Sequence, residues 1–487
     1  MAINSALGYG YWAYNFSIFN SLQDYLGDYI FPNASTTTIS LIQSFINIGS
    51  IIGALIAGTL VSSLGRRRTM IIADILGLIA VGLMLVQNLP VLLVGRILSG
   101  IVSGLNIVAI FMYQVEVSPL EMCGATGTLS VIISETFSFV SLAVGFAVPE
   151  DPHSEFQYQI WRLLVSISAI LNVMRLFGLG FIWRFETPFF LIEKGKKEEA
   201  KKVLGEIFDD GVENEYKRIA TDVEMSTNEG SIRFWDLFGP KYRRILFVGF
   251  LLAVIQHFGG MSIIFIFSND IFSRSTDNDV LFSTILGIIN LLSVICALFL
   301  VEKFGRRTLL LTGLTAISII WLIFGLIATI RGEDDPSLKY ILLIWPVFFQ
   351  ISLGSLTFLY ISETLPSVGS SFCVAANWTS ASLISIFYLQ VVDAVGLGPF
   401  FLFCSLLCFL CALVFLKFLV ETKGRTRAEI IRLFAGEKNL KPESIDETKG
   451  IGKDVETYAE NMREKDEIPF SKLKENPQEE IRSPLKE

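Results

Sequence analysis

Twelve predominantly apolar runs of about 20 residues, the length a helix needs to cross a hydrocarbon core of about 30 Å, recur along this chain. They lie at roughly 3–21, 38–61, 70–87, 91–113, 126–148, 161–184, 244–268, 280–301, 308–330, 340–361, 370–394 and 398–420. The first is the most polar, rich in Tyr, Asn and Ser. It has no basic start and no small-residue cleavage site after it, so it is expected to be a span rather than a cleaved leader. Composition agrees: 487 residues are 52% hydrophobic and only 18% charged, with 40 Phe, too apolar for a soluble globular chain of this length. The pattern predicts an all-α membrane protein.

Charge in the connecting segments sets the expected orientation, because Lys and Arg near helix ends resist transfer across the membrane. One side carries Arg66, Arg67, Arg68, the basic stretch from Lys194 to Arg244, Lys303, Arg306, Arg307, Lys423, Arg425 and Arg427. The other has Arg162, Arg274, Arg331 and Lys339 beside acidic or polar loops such as 149–155 and 331–336. Both termini and the segment 185–243 are therefore expected on the cytosolic side, in the plasma membrane or an organelle membrane such as the mitochondrial inner membrane. The six Cys sit in or near predicted helices, which gives no disulfide framework.

Three landmarks recur in order. Gly65 opens "GRRR" and Gly305 opens "GRRT", 240 residues apart; Glu116 in "YQVEVSP" and Glu363 in "YISETLP" are 247 apart; Glu186 in "FETP" and Glu421 in "VETKG" are 235 apart. Such spacing predicts two six-helix repeats. The expected organisation is an N-terminal half at 1–184, a cytosolic helical linker at 185–243, a C-terminal half at 244–420, and a polar cytosolic tail at 421–487. Parallel repeats of this kind suit an alternating-access carrier with its site between the halves near the midplane.

With "GRILSG" at 95–100, "WR" at 161–162, "NWTS" at 377–380, "GPFFLF" at 398–403 and "ETKGRT" at 421–426, these motifs make the chain resemble the sugar porters of the major facilitator superfamily from about Tyr11 to Ile430. The resemblance implies the twelve-helix major facilitator fold, helices in the linker around 191–204, and transport without a covalent step.

A sugar presents a ring of hydroxyls, so its cavity must offer neutral donors and acceptors and an aromatic face. Polar residues at bilayer depth are costly and mark candidates: Gln256, His257, Ser262, Asn290, Gln350 and Asn377 in the second half. Matched to the family pattern, Gln256 and Asn290 fall on sugar-contacting amides. His257 stands where a second Gln is usual, Ser262 where an Asn is, and Gln350 where a Glu is. Val131 replaces a sugar-binding Gln, Phe358 a Trp, and Ser355 and Thr357 the prolines that flex the tenth helix.

The family's inner gate pairs arginines with the repeat glutamates. Glu116, Glu363, Glu186 and Glu421 are present, but Cys123 and Ser370 occupy arginine positions, Phe189 replaces the linker arginine, and Ser62–Ser63 replace a charged pair. Arg66, Arg67, Arg306 and Arg307 remain as partners, with Glu116 expected on the Arg306 side and Glu363 on the Arg66 side, and a weakened or rewired switch. Proton-driven members place an Asp near the arginine of "GRILSG"; here Asn15 faces Arg96, and an amide cannot carry a proton, which predicts uniport. Asp74, Glu135 and Arg175 are further charges inside predicted helices, any of which could carry a different coupling. Of these, Glu135 and Arg175 are expected to pair across neighbouring helices or to face a protein partner.

No phosphate-binding loop is present, and His153 and His257, the only histidines, lie on different elements. No enzyme activity, cofactor, metal site or nucleic-acid partner is expected. Asn33-Ala34-Ser35 is a glycosylation sequon in the first outer loop, and 437–487 is polar without apolar periodicity. Two functions follow: facilitative transport of a hexose or small polyol, with membrane lipid around the helices, or a transport-inactive structural subunit of a larger membrane complex whose protein partners hold the tail.

Overall fold

The computed structural model describes residues 1–32, 34, 36–149, 152–208, 211–227, 234–264 and 279–436. The sequon positions Asn33 and Ser35, Arg274 and the tail 437–487 lie outside the described residues. Among those described, twelve long helices follow the twelve apolar runs. The first half has α1 (Ala2–Tyr25), α2 (Thr36–Leu64), α3 (Arg66–Met84), α4 (Leu89–Val117), α5 (Cys123–Gly145) and α6 (Glu155–Phe177). The second has α7 (Arg243–Phe258), α8 (Asp279–Phe304), α9 (Arg306–Arg331), α10 (Ser337–Thr364), α11 (Ser367–Val395) and α12 (Leu397–Phe418).

Ten of the twelve are long and apolar enough to cross a membrane on that criterion alone. The exceptions, α1 and α3, are diluted by polar residues turned inward: Asn4 and Asn15 on α1, Asp74 on α3, all buried. The outer faces are the reverse, with Ile330 78% and Phe299 71% exposed.

Packing repeats between the halves. In the first, α1 lies on α5 and α6, α2 on α4, and α3 on α4 and α6; in the second, α7 lies on α11 and α12, α8 on α10, and α9 on α10 and α12. The halves meet where α2 packs on α11, α5 on α8 and α4 on α10. Glycines permit the closest crossing: Cβ atoms at Gly49 and Gly100 would each collide with backbone of the facing helix, so α2 and α4 approach main chain to main chain.

Local chemistry sets the ends. Asn88 accepts from the amide of Val91 to cap α4, and Ser154 with Gln157 forms a capping box on α6. Among its described residues the linker holds three α-helices, Pro188–Glu193, Lys197–Ile207 and Val212–Thr227, and a 3-10 turn at Phe234–Phe238. A further helix, Arg427–Ala435, capped by Thr426 and Glu429, stands where the sequence pattern gave only polar tail; its four-residue alternation of Ile430 and Phe434, both buried, was the missed signal. Inside α10 the residues Gln350–Gly354 form a wider π turn. Ser355 Oγ donates to the Gln350 carbonyl (2.6 Å) and Thr357 Oγ1 to that of Leu353 (2.7 Å), so the interruption expected from prolines is made here by a π turn with hydroxyl support.

Candidate functional site

Two equivalent charged stations occupy the end of the bundle that carries both Gly-Arg-Arg motifs. Gly65 (φ 96°) and Gly305 (φ 81°) cap α3 and α9 in a conformation other residues avoid. A Cβ on either would strike a carboxylate, Glu186 or Glu421. Those glutamates cap the next helix through its amides: Glu186 accepts from Arg67 N (2.8 Å), and Glu421 from Arg306 N (2.8 Å) and Arg307 N (3.0 Å). Burial still outweighs these amides at Glu186, whose pKa is pushed above the usual carboxylate range. The second residue of each motif reaches the fourth helix of its half: Arg66 Nη2 meets Glu116 at 2.7 Å and Arg306 Nη2 meets Glu363 at 3.0 Å. Thr187 Oγ1 donates to Glu116 (2.7 Å) and Thr422 Oγ1 to Glu363 (2.6 Å), completing the duplicate.

This corrects the expected crossing of halves. Glu116 lies with Arg66 and Glu363 with Arg306, because α4 and α10 each pack against the third helix of their own half and place their glutamate at its start. Nor is either glutamate orphaned. Cys123 and Ser370 donate instead to backbone carbonyls, and the Phe189 ring lies 5.6 Å from both the Arg66 and Arg427 guanidinium carbons. Between halves at this end, Ser62 Oγ meets Ser367 Oγ at 2.6 Å, and Glu302 of α8 accepts from Ala125 N of α5 (3.0 Å).

Within the first half, Arg175 pairs with Asp74 (2.6 Å) and donates to Asn106 Oδ1 (2.8 Å), all fully buried. The expected Glu135–Arg175 pair is therefore replaced by Asp74–Arg175, since α6 packs against α3. Arg96 donates to the carbonyls of Ile42 (2.9 Å) and Asn15 (3.1 Å) and lies 4.2 Å from the Phe19 ring; it meets the backbone of Asn15, while the Asn15 side chain turns to Tyr11 O (3.0 Å).

The cavity that matters lies between the halves, walled by Trp12 and Phe16 of α1, Asn47 of α2, Glu135 of α5, His257 at the end of α7 and Trp378 of α11. The "FGG" at 258–260 shapes one wall. Gly260 (φ 119°) breaks α7, and the freed Gly259 carbonyl accepts from Trp345 Nε1 (2.7 Å) and Trp321 Nε1 (3.2 Å), which directs His257, Met261 and Ser262 into the cavity. Opposite, Asn377 ties α11 to α7 through Ala253 O and Gln256 Oε1 (both 2.8 Å) and so fixes Trp378. Trp12 stacks on Tyr9 (5.3 Å) and meets Trp378 edge-on (5.3 Å) across the halves. Among the described residues, four buried polar atoms on these walls make no hydrogen bond: Trp12 Nε1, Asn47 Oδ1, His257 Nε2 and Trp378 Nε1.

Of the sugar-contact candidates read from the sequence, this cavity gathers His257 and Ser262, bonded to each other at 2.8 Å, together with Glu135, singled out there as a charge inside a helix. Gln256, Asn290, Gln350, Asn377 and Phe358 are not on its walls. Gln256 Nε2 is held by Leu353 O (2.9 Å), Gln350 Nε2 is shared between Glu135 Oε1 (3.1 Å) and Asn290 Oδ1 (3.2 Å), and Phe358 packs on Phe111 (5.7 Å). Trp12, Asn47 and Trp378 were missed. An Asn and two Trp at bilayer depth were legible as unusual, but nothing in the sequence marked them as facing one space.

Residues 1–434 match the family model described as "Sugar (and other) transporter". Facilitated glucose transporter member 3 of solute carrier family 2 from Mus musculus is 28% identical over 436 residues, covering 86% of each chain. The major myo-inositol transporter IolT of Bacillus subtilis (strain 168) is 28% identical over 430 residues, 84% of this chain and 89% of that protein. Among solved structures, the proton:xylose symporter XylE bound to 6-bromo-6-deoxy-D-glucose aligns with TM-score 0.79 at 22% identity, covering 89% of this chain and 98% of that one. The inward-open form of XylE from E. coli aligns at 0.65 with 20% identity.

Proposed function

Because the chain belongs to the sugar (and other) transporter family, a family of membrane carriers rather than enzymes, we propose that it moves a hexose or related small polyol down its gradient by alternating access. The observation that carries this reading is the set of unpartnered polar atoms on Trp12, Asn47, His257 and Trp378, gathered from both halves around one aromatic-walled cavity. Buried polar groups are normally satisfied, and each exception calls for an explanation. Sugar hydroxyls would supply partners to these four, and the indole faces would take the C–H side of the ring. A site built from both halves is what alternating access requires, since moving one half against the other then exposes it to either side.

Uniport follows from Asn15. An amide beside Arg96 does not change charge between the two access states, so no proton is carried there. The basic loops support cytosolic termini and a cytosolic 185–243 linker, and the division into halves at 1–184 and 244–420 goes with that reading; the plasma membrane is the proposed location. Outward apolar residues such as Phe299 and Ile330 then meet lipid. A transport-inactive subunit would leave the four polar atoms without a purpose, and the tail on which a protein partner would act lies outside the described residues.

Liposomes bearing the purified protein test the proposal. Labelled hexose or polyol should equilibrate across the membrane, with an accumulation ratio of one whether or not a pH gradient is imposed, and His257→Ala should slow entry. Accumulation driven by an inward proton gradient would overturn uniport. No movement of any sugar or polyol would overturn transport and return the subunit reading.

A further inference from the structure

The proposed sugar path leaves one wall residue unexplained. Glu135 lines the cavity from α5, and its one hydrogen bond among the described residues comes from Gln350 Nε2, across the halves at 3.1 Å. That bond reaches Oε1 only. No described Lys or Arg forms an ion pair with it, whereas the other carboxylate at bilayer depth, Asp74, is met by Arg175 at 2.6 Å. Gln350 itself retains an unpartnered Oε1, so the amide is held to the carboxylate at one side and to Asn290 at the other without being saturated.

A carboxylate in an apolar cavity without a cation is costly, and the cost is removed by taking up a proton or by receiving a cation from elsewhere. The surroundings favour a cation. Indole and phenyl rings from Trp12, Phe16 and Trp378 line the same cavity as Glu135, with Trp12 5.8 Å from Phe16 and 5.3 Å from Trp378, and electron-rich ring faces beside an acid suit an ammonium group. His257 Nε2 and Asn47 Oδ1, both unpartnered and on residues at most 3% exposed, remain for hydroxyls. The cavity therefore has one anionic corner, aromatic faces and separate neutral hydrogen-bonding atoms.

Resting on the reading of the cavity as a sugar site, we propose that its preferred substrate class is a hydroxylated amine, such as an amino sugar, with Glu135 receiving the ammonium group. Gln350 is then the positioning residue that holds the carboxylate toward the cavity from the opposite half. The charge pair forms only with the amine in place, which distinguishes amino sugars from neutral sugars of the same shape.

Three probes separate the outcomes: D-glucosamine, D-glucose and N-acetyl-D-glucosamine, the last keeping the nitrogen but not its charge. Binding to purified wild type is read by intrinsic fluorescence, to which Trp12 and Trp378 report, at about pH 6.5 where the amine is charged; uptake into liposomes is read in parallel. Glucosamine should bind at least about tenfold more tightly than either neutral sugar, as expected for a charge-assisted contact in a dry site. Glu135→Gln should abolish that preference and Glu135→Asp should restore part of it. Equal or tighter binding of glucose by wild type overturns the proposal while leaving sugar transport standing. Proton-driven glucose accumulation lost in Glu135→Gln overturns it too, since the carboxylate then serves a proton. If no sugar of any kind binds or moves, both the proposal and the transport reading fall.

Discussion

Glu363→Gln isolates what the charged stations do. Glu363 accepts from Arg306 Nη2 at 3.0 Å and Nε at 3.3 Å and from Thr422 Oγ1 at 2.6 Å, and the two side chains of the pair are 1% and 7% exposed. Removing one partner of a buried pair costs about 3–5 kcal/mol, chiefly because a charge stays behind uncompensated. Here Arg306 keeps Glu302 at 3.2 Å, and the glutamine oxygen can still accept from Thr422, so the loss falls at the low end, about 3 kcal/mol. For a cooperative unit the size of one six-helix half, at about 2–4 °C per kcal/mol, the melting temperature in detergent should fall by roughly 6–12 °C. Adding Arg306→Met removes the stranded charge, so the double variant should melt above the sum of the two singles by at least about 1 kcal/mol equivalent. Both partners belong to one half, so the effect is one of stability rather than of access. An unchanged melting temperature in Glu363→Gln would refute this reasoning, and unchanged stability with altered sidedness of substrate access would make the pair a clamp between the halves.

Gly65→Ala and Gly305→Ala should each cost about 2 kcal/mol or more, since φ near +90° strains any other residue and the new Cβ meets Glu186 or Glu421; wild-type melting in both would remove the reason given for the motif glycines. Trp378→Phe should cost about 1–2 kcal/mol through lost packing on Trp12, the Nε1 itself having no partner among the described residues, and it should weaken sugar binding; a fall in stability with unchanged binding would contradict the cavity assignment. Gln256→Ala should destabilise by about 1–2 kcal/mol by removing its bonds to Leu353 O and Asn377, which keep only Thr357 Oγ1 and Ala253 O respectively, as thermal unfolding would register. At Glu186 burial raises the folded pKa above the unfolded one, so wild type is most stable relative to Glu186→Gln at low pH and loses that advantage as pH rises through the window between the two values; a gap that widens in favour of wild type with rising pH would reverse the sign.

Much of the architecture is already written in the chain, because the number of spans depends only on run length against bilayer thickness, and the repeat only on landmarks at nearly equal offsets. The same local signals led to Gly65 and Gly305, to Glu186 and Glu421, and to His257 as a costly polar residue. Partnership was a different matter. Which arginine meets Glu116, or whether Arg175 faces Asp74 or Glu135, depends on the rotation and tilt of helices far apart in sequence, and a shift of one residue turns a side chain by about 100°. A family pattern placed Gln256 and Asn290 at the sugar, yet here the π turn of α10 offers its carbonyl to Gln256, and Gln350 reaches across to Glu135, drawing those amides into the frame. Trp12, Asn47 and Trp378, ordinary in their own helices, acquire meaning only where α1, α2 and α11 converge and leave their polar atoms facing one shared space. Hydropathy is a property of a segment, whereas an unsatisfied hydrogen bond is a property of everything around it, and only the tertiary structure counts the neighbours.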